Sequence, residues 1–87
     1  MKTIYKYNVP VTDHPVVVLP RGAKILTVGA QQNYIYVWAL VDSTKKPEVT
    51  RQFRLVGTGH PIEKDNLRFI GTVFVACLVY HLFEVVK

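Results

Sequence analysis

Two arginines and a glycine-rich turn are the residues whose types and spacing suggest chemistry. Arg51 and Arg54 lie close together in the chain, and a turn with the sequence Gly57, Thr58, Gly59, His60 follows. Glycines adopt torsions that other residues resist, so such a turn can aim several N–H groups at one point. Guanidinium groups beside it would complete a pocket for a phosphate or an anionic nucleotide. The commoner arrangement is structural, in which Arg51 pairs with an acid and the glycines only form a turn.

The element that must position these arginines is a strand at residues 48–56. Polar and apolar side chains alternate there, which predicts a half-buried β-strand. Arg51 falls on the apolar side of the alternation, and Arg54 falls with the polar residues. A guanidinium on the apolar side needs a carboxylate, a carbonyl or a phosphate as its partner. Glu84, on another largely apolar strand, is a candidate to pair with an arginine across the sheet.

Catalytic and metal-binding sets are missing from the sequence pattern. The histidines His14, His60 and His81 lack the close-spaced pairs with cysteine that zinc sites show. His81 is expected to be a partly buried, hydrogen-bonded side chain. Cys77 lies in the most apolar segment, where we expect an inert packing residue, and Ser43 lies in a polar loop. The sequence therefore predicts a protein that is not an enzyme and that uses no cofactor or metal.

Length and composition bound the class of protein. A chain of 87 residues with one cysteine predicts one domain without a disulfide, in a reducing compartment. Its apolar content of 49% is high for a small monomer, which favours a homo-oligomer. The net charge of +5 favours anionic partners, although the basic residues are scattered rather than gathered into one arm.

Short runs separated by turn residues predict the fold class. We expect an all-β domain spanning residues 1–87, a small sandwich or partly open barrel of about six to seven short antiparallel strands. The runs lie at residues 3–9, 16–19, 24–30, 34–41, 48–56, 69–75 and 78–86. Residues 31–33 predict a hairpin turn, 42–47 an exposed loop, and 60–68 a loop or one irregular helical turn. Residues 34–41 are apolar on both faces, which is typical of a central strand covered on both sides.

An uncharged apolar stretch at residues 69–83 raises the question of a membrane span. It is shorter than the roughly 20 residues that a spanning helix needs, and it is rich in β-branched and aromatic residues. We predict two buried strands with a tight turn, and no membrane association. The first residues lack the apolar core of a signal peptide.

Aromatic side chains offer an alternative function. Together with the arginines they form the mix that stacks nucleic-acid bases on small β-barrels. The aromatic residues concerned are Tyr5, Tyr7, Tyr34, Tyr36, Trp38 and Tyr80. We expect Tyr36 and Trp38 to fill the core or an oligomer interface instead, because the strands need core residues.

Several segments carry a resemblance that covers nearly the whole chain. They are IYKYNVPVTD at 4–13, LPRGAKIL at 19–26, WALVD at 38–42, FRLVGTGHPI at 53–62, FIGTV at 69–73 and HLFE at 81–84. These segments resemble a family of small proteins of unknown function that is common in bacteriophage genomes, and GTGHPI is the most specific part. The resemblance implies a phage origin and action in the host cytoplasm. At 74–77 the chain departs from the family, which has a longer, glycine-containing turn there.

These observations together predict a non-enzymatic phage accessory protein that forms a homodimer and binds a host or anti-phage-defence component, with a protein as the leading partner. One alternative is a sponge that captures an anionic nucleotide signal through Arg51, Arg54, Gly57, Thr58, Gly59 and His60. The other alternative is a nucleic-acid-binding β domain.

Overall fold

The computed structural model describes residues 1–42, 44 and 47–86, and within them it shows seven strands and no helix. The strands are β1 (Lys2–Val9), β2 (Val16–Pro20), β3 (Lys24–Gln31), β4 (Tyr34–Asp42), β5 (Glu48–Gly57), β6 (Leu67–Val75) and β7 (Leu78–Val85). They form two antiparallel sheets, one in the order β1-β4-β3 and the other in the order β2-β5-β7-β6. The predicted all-β fold is confirmed, and it is a sandwich.

The core lies between the inner faces of the two sheets. On β4 every second side chain is buried, from Ile35 to Val41, because alternate residues of a strand face opposite sides. These side chains belong to one apolar cluster with Phe53 and Leu55 of β5 and Leu82 of β7. The two-residue turn that aligns β3 with β4 has positive φ angles at its central residues, as a type I′ hairpin requires. The hairpin predicted at residues 31–33 is therefore confirmed.

The second face of β4 corrects one prediction. β4 is the central strand of its sheet, but it is not covered on both sides. Tyr36, Trp38 and Leu40 on its outer face are only half-buried, and Tyr34 is exposed. A sandwich has two layers, so each sheet packs one face on the core and leaves the other without a protein layer. The aromatic rings shield one another on that outer face, which is why they are half-buried rather than fully exposed.

The β6–β7 hairpin corrects part of another prediction, that residues 69–83 form two buried strands joined by a tight turn. Its two-residue turn at Ala76 and Cys77 is as tight as predicted, with a φ of 53° at Ala76. The strands are not both buried, because β6 is an edge strand and exposes Phe69 and Phe74. Cys77 is exposed at the turn and is not a packing residue. Among the described residues, no helix is long and apolar enough to cross a membrane.

The long connection at residues 58–66 is a loop without helical structure. It joins β5 to β6, which are separated in their sheet by β7, so the loop must pass β7 to reach the edge. The predicted loop at 42–47 lies partly outside the described residues, and β4 extends through Asp42.

Candidate functional site

Arg51 lies between the two sheets and is held by a buried carboxylate. Its Nε and Nη2 donate to the two oxygens of Glu84, at 2.6 Å and 2.9 Å, and its Nη1 donates to the backbone carbonyl of Ala23. Both side chains are largely buried, with 18% and 8% of their surfaces exposed. Such a two-pronged contact matches the planar fork of a guanidinium to a carboxylate. Arg51 thus has the acidic partner that the sequence analysis offered, Glu84.

A second arginine completes this cluster. Arg68 of β6 donates from Nη2 to Glu84 Oε1 at 3.0 Å, while 64% of its own side chain stays exposed. Burial raises the pKa of Glu84, but the hydrogen bonds and charges of Arg51 and Arg68 outweigh that effect and hold the pKa below its ordinary value. Two cations against one anion leave the cluster with a positive charge.

Arg54 points to the opposite side of β5 and yet is only 8% exposed. Its Nη1 donates to the carbonyls of Leu55 at 2.8 Å and Asp13 at 3.2 Å, and its Nη2 to that of Pro61 at 3.4 Å. The carboxylates of Asp13 and Glu63 lie farther off, at 3.8 Å and 3.7 Å, and are exposed. Arg54 thus points with the polar residues of its strand, as the alternation predicts, and contacts with Asp13 and with Pro61 of the 58–66 loop bury it.

Two amide groups of the turn at residues 57–60 donate to backbone carbonyls, one within the turn and one in β7. The N–H of His60 donates to Gly57 O at 3.1 Å, and that of Thr58 donates to Val79 O at 3.2 Å. Gly59 has a φ of 90°, which suits the third position of a type II turn. Arg51 lies six residues before Gly57 on an extended strand, about 20 Å away. The structure therefore separates Arg51 from the turn, and two of the turn's N–H groups are already used.

His81 connects three neighbouring segments. Its Nε2 lies 2.7 Å from Thr58 Oγ1 and its Nδ1 lies 2.9 Å from Thr72 Oγ1. The ring is half-buried and hydrogen-bonded, as predicted. The two hydroxyls tie the start of the 58–66 loop and β6 to β7, which gives His81 a structural role. Within the described residues, no group of three His, Cys, Asp or Glu side chains could hold a metal ion.

The outer face of the three-stranded sheet brings together residues that the sequence analysis did not group. We call it the aromatic face. The register of β1, β4 and β3 places on it Lys2, Ile4, Lys6, Asn8, Lys24, Thr27, Gly29, Gln31, Tyr34, Tyr36, Trp38 and Leu40. Tyr36 and Trp38 meet edge to face with ring centroids 6.3 Å apart. Tyr5, Tyr7 and Tyr80 lie on inner faces instead, so the six aromatic residues named above divide into two groups.

Contacts across this face order the aromatic side chains. The Nζ of Lys6 lies 4.4 Å from the centroid of the Tyr36 ring and donates to Gln31 Oε1 at 2.8 Å. Trp38 lies against Gly29, where an added Cβ would come within 3.1 Å of the indole. Tyr36 and Trp38 therefore do not fill the core, and the alternative that they lie in an oligomer interface stays a prediction. The alternation along β4 indicated that residues 34, 36 and 38 share one face of the sheet, but it does not show which face of the sheet packs on the core.

A cleft lies between the edge strands β3 and β6 of the two sheets. We call it the β3–β6 cleft, and its volume is about 410 Å³. Its lining residues are Ala23, Lys24, Ile25, Leu26, Arg51, Arg68, Phe69 and Ile70. Arg51 and Arg68 thus face the same cavity, although the sequence separates them widely.

The fold and these surfaces define a small antiparallel β-sandwich with structural arginines and an open aromatic face. The chain belongs to the family described as a domain of unknown function (DUF7352), whose model matches residues 1–87. A search of curated proteins found no match, and a search of solved structures found none either.

Proposed function

We propose that this chain is a non-enzymatic binding protein that uses the aromatic face to bind single-stranded nucleic acid. The observation that carries the proposal is a row of one exposed and two half-buried aromatic rings beside lysines on one open sheet face. Tyr34 is 60% exposed, and Tyr36 and Trp38 continue its row. Proteins that bind single strands combine aromatic stacking with a positively charged track for the phosphates. The three lysines Lys2, Lys6 and Lys24 would supply that track.

The charge on this face favours a polyanion over a second copy of the chain. A symmetric dimer through the aromatic face would bring its lysines close to those of the partner copy. Asp42, at the end of β4, is a carboxylate at the edge of this face. The hydroxyl and N–H of Thr44 and the terminal amino group hold the pKa of Asp42 below its ordinary value, so it stays ionised and engaged. The lysines therefore keep an excess of positive charge.

The setting of this function rests on the resemblance described above. Segments such as GTGHPI resemble proteins common in bacteriophage genomes, which supports a phage origin and action in the host cytoplasm. A small basic protein that binds single strands would there act as an accessory factor. It would protect or sequester nucleic acid during infection.

Binding to a short oligothymidylate tests the proposal directly. The chain has one tryptophan, so quenching of its fluorescence reports on the aromatic face alone. Stacked bases contribute about 1–3 kcal/mol each, so Tyr34→Ala should weaken binding by about tenfold. Lys6→Gln should reduce the slope of log K against log salt by about 0.7, because one phosphate contact is lost.

Matched controls come from the other sheet. Phe74→Ala removes an equally exposed aromatic ring from β6, and Lys64→Gln removes a charge from the 58–66 loop. Both variants should bind the oligonucleotide as the unmodified protein does. Equal losses in Tyr34→Ala and Phe74→Ala, or an affinity that salt does not change, would contradict the proposal.

A second candidate is a protein partner, the host or defence component predicted from the sequence. The observation that favours it is β2, an edge strand without charged residues that exposes Val16 and Val18. Uncharged edge strands are sites where another strand can pair, from a second copy or from another protein. Val18→Lys should then abolish a homodimer measured by sedimentation, whereas Phe74→Lys on the opposite edge strand should leave it intact. A chain that sediments as a monomer would remove the homodimer from this proposal.

A further inference from the structure

The β3–β6 cleft owes its shape to two irregularities in facing edge strands. The strands touch where Val28 meets Gly71, since a Cβ on Gly71 would lie 2.9 Å from the Val28 side chain. Beyond that contact the register shifts in both strands, between Ile25 and Thr27 in β3 and between Phe69 and Gly71 in β6. Bulges bend a strand and re-aim its side chains, and they are enriched beside binding sites. Here the two bulges border the same opening.

The charge in this cleft is greater than the structural ion pair requires. Arg51 alone satisfies both oxygens of Glu84 and lies largely buried. Arg68 adds a second guanidinium that uses Nη2 on Glu84 and keeps most of its side chain exposed. A guanidinium carries five N–H donors, so Arg68 retains donors that face outward. Lys24 stands exposed on the same lining and adds a further positive charge.

Glu84 orients Arg68 for contact with an anion. A carboxylate that fixes one edge of a guanidinium lowers the conformational entropy that its other edge would lose on binding a ligand. The positive charge of the cluster would then attract a phosphate or a carboxylate, which a guanidinium can bind with two parallel hydrogen bonds. Glu84 and the ligand would not compete for the same N–H groups of Arg68, because Glu84 accepts from Nη2 and leaves other donors of that guanidinium available.

The remaining lining is apolar. Leu26 and Phe69 are 42% and 56% exposed, and the half-buried Ile25 and Ile70 lie beside them. A volume of about 410 Å³ falls in the range of roughly 300–1,000 Å³ found for small-molecule sites. Because the lining is apolar on one part and cationic on the other, the cleft favours a ligand that has an apolar group and an anionic group.

We propose that the β3–β6 cleft binds a small organic anion, whose phosphate or carboxylate meets Arg68 and whose apolar body lies on Phe69 and Ile70. This places the small-molecule alternative of the sequence analysis in the cleft instead of at the 57–60 turn. The two sites share Lys24, but the residues that carry this proposal, Arg68 and Phe69, lie outside the aromatic face.

The test uses probes that separate the two parts of the ligand. Phenyl phosphate and benzoate carry an anionic head and an apolar body, inorganic phosphate carries only the head, and benzyl alcohol carries only the body. Titration followed by amide chemical shifts of the full chain should show saturable binding of phenyl phosphate, with shifts centred on residues 24–26 and 68–70. Benzoate distinguishes a carboxylate ligand from a phosphate ligand. Inorganic phosphate and benzyl alcohol should each bind at least about tenfold more weakly, because each loses one set of contacts.

Two variants localise the binding. Arg68→Gln leaves the Arg51–Glu84 pair in place and should weaken phenyl phosphate binding about tenfold, since a charge-assisted hydrogen bond is lost. Leu26→Glu places a negative charge at the exposed mouth of the cleft and should abolish binding. Lys64→Gln is the charge-matched control and should bind normally.

The results that would refute this proposal differ from those that would refute nucleic-acid binding by the aromatic face. Equal affinity of Arg68→Gln and Lys64→Gln for phenyl phosphate, or shifts outside the cleft, would refute the site. Equal affinity for inorganic phosphate and phenyl phosphate would refute the apolar half of the proposal. Oligothymidylate binding should be unchanged in Arg68→Gln, which keeps failure of one proposal separate from failure of the other.

Discussion

Arg51 and Arg54 lie in the same strand and are both largely buried, but different groups hold them. Arg51 faces the other sheet and forms an ion pair with Glu84. Arg54 faces outward and donates to the backbone carbonyls of residues 13, 55 and 61. Its nearest carboxylates are exposed and more than a hydrogen bond away. One arginine is neutralised by a charge, and the other is solvated by peptide dipoles.

The difference assigns distinct roles to the two side chains. Arg51 and Arg68 line the β3–β6 cleft, and Glu84 accepts hydrogen bonds from both, so this ion pair affects the charge of a cavity. Arg54 instead joins the segment before β2 to the 58–66 loop, and it stabilises chain connections. An ion pair responds to pH and to loss of either partner, whereas a set of carbonyl bonds responds only to loss of the donor. The following variants separate these behaviours.

The largest effect is expected for Arg51→Met. It leaves the buried carboxylate of Glu84 with Arg68 as its remaining partner, and breaking a buried pair costs about 3 kcal/mol or more. Urea unfolding should show this loss. The double variant Arg51→Met/Glu84→Leu should recover most of it, since no buried charge is then left unpaired. A double variant as unstable as the single one would contradict the ion-pair account.

A smaller loss is expected for Arg54→Met. Carbonyls of Leu55 and Pro61 lose their donor, and unsatisfied buried groups cost about 1–3 kcal/mol. Hydrogen exchange should accelerate in residues 60–66, because the loop loses its anchor. Arg51→Met is the matched control. Its hydrogen exchange in that loop should increase no more than its loss of global stability accounts for. Equal exchange patterns in the two variants would remove the distinction between the arginines.

The pH dependence of stability should distinguish the two arginines as well. The pKa of Glu84 is lower in the folded than in the unfolded chain. Its stabilisation is therefore fully present above the ordinary glutamate pKa and is lost as the pH falls through the lower, folded value. Urea midpoints measured from neutral to acid pH should fall less steeply in Arg51→Met/Glu84→Leu than in the unmodified protein. Arg54→Met should keep the unmodified slope, and a flattened slope there would count against the comparison.

Arg68→Gln should have the smallest effect on stability. The side chain is mostly exposed, and exposed ion pairs contribute about 1 kcal/mol or less. The free energy of unfolding of Arg68→Gln, measured in urea, should fall by no more than this amount and should be close to that of Lys64→Gln. A loss as large as that of Arg51→Met would show that Arg68 is structural, which would weaken its proposed role as a ligand contact.

Much of the fold follows from local sequence, and the errors have a common cause. Alternation placed each strand within a few residues of its observed bounds, and the turn residues located both two-residue hairpins. The same alternation correctly turned Arg51 inward. It also turned Arg54 to the opposite face. Alternation gives the direction of a side chain and not what lies over it, so it predicted neither the burial of Arg54 nor the absence of Tyr36 and Trp38 from the core. The family resemblance to a longer turn at 74–77 did not help either, since this chain closes β6 and β7 with two residues.

The sequence by itself determined the strands, the turns, the need of Arg51 for a hydrogen-bonding partner and the excess of positive charge. These properties depend on residue type and on neighbours along the chain, which local sterics and alternation express. Only the tertiary structure decided that the 58–66 loop covers Arg54, that the aromatic row faces outward, and that Arg51 and Arg68 share a cleft. Those outcomes depend on which sheet faces stack and which edges meet, and contacts between distant segments set both.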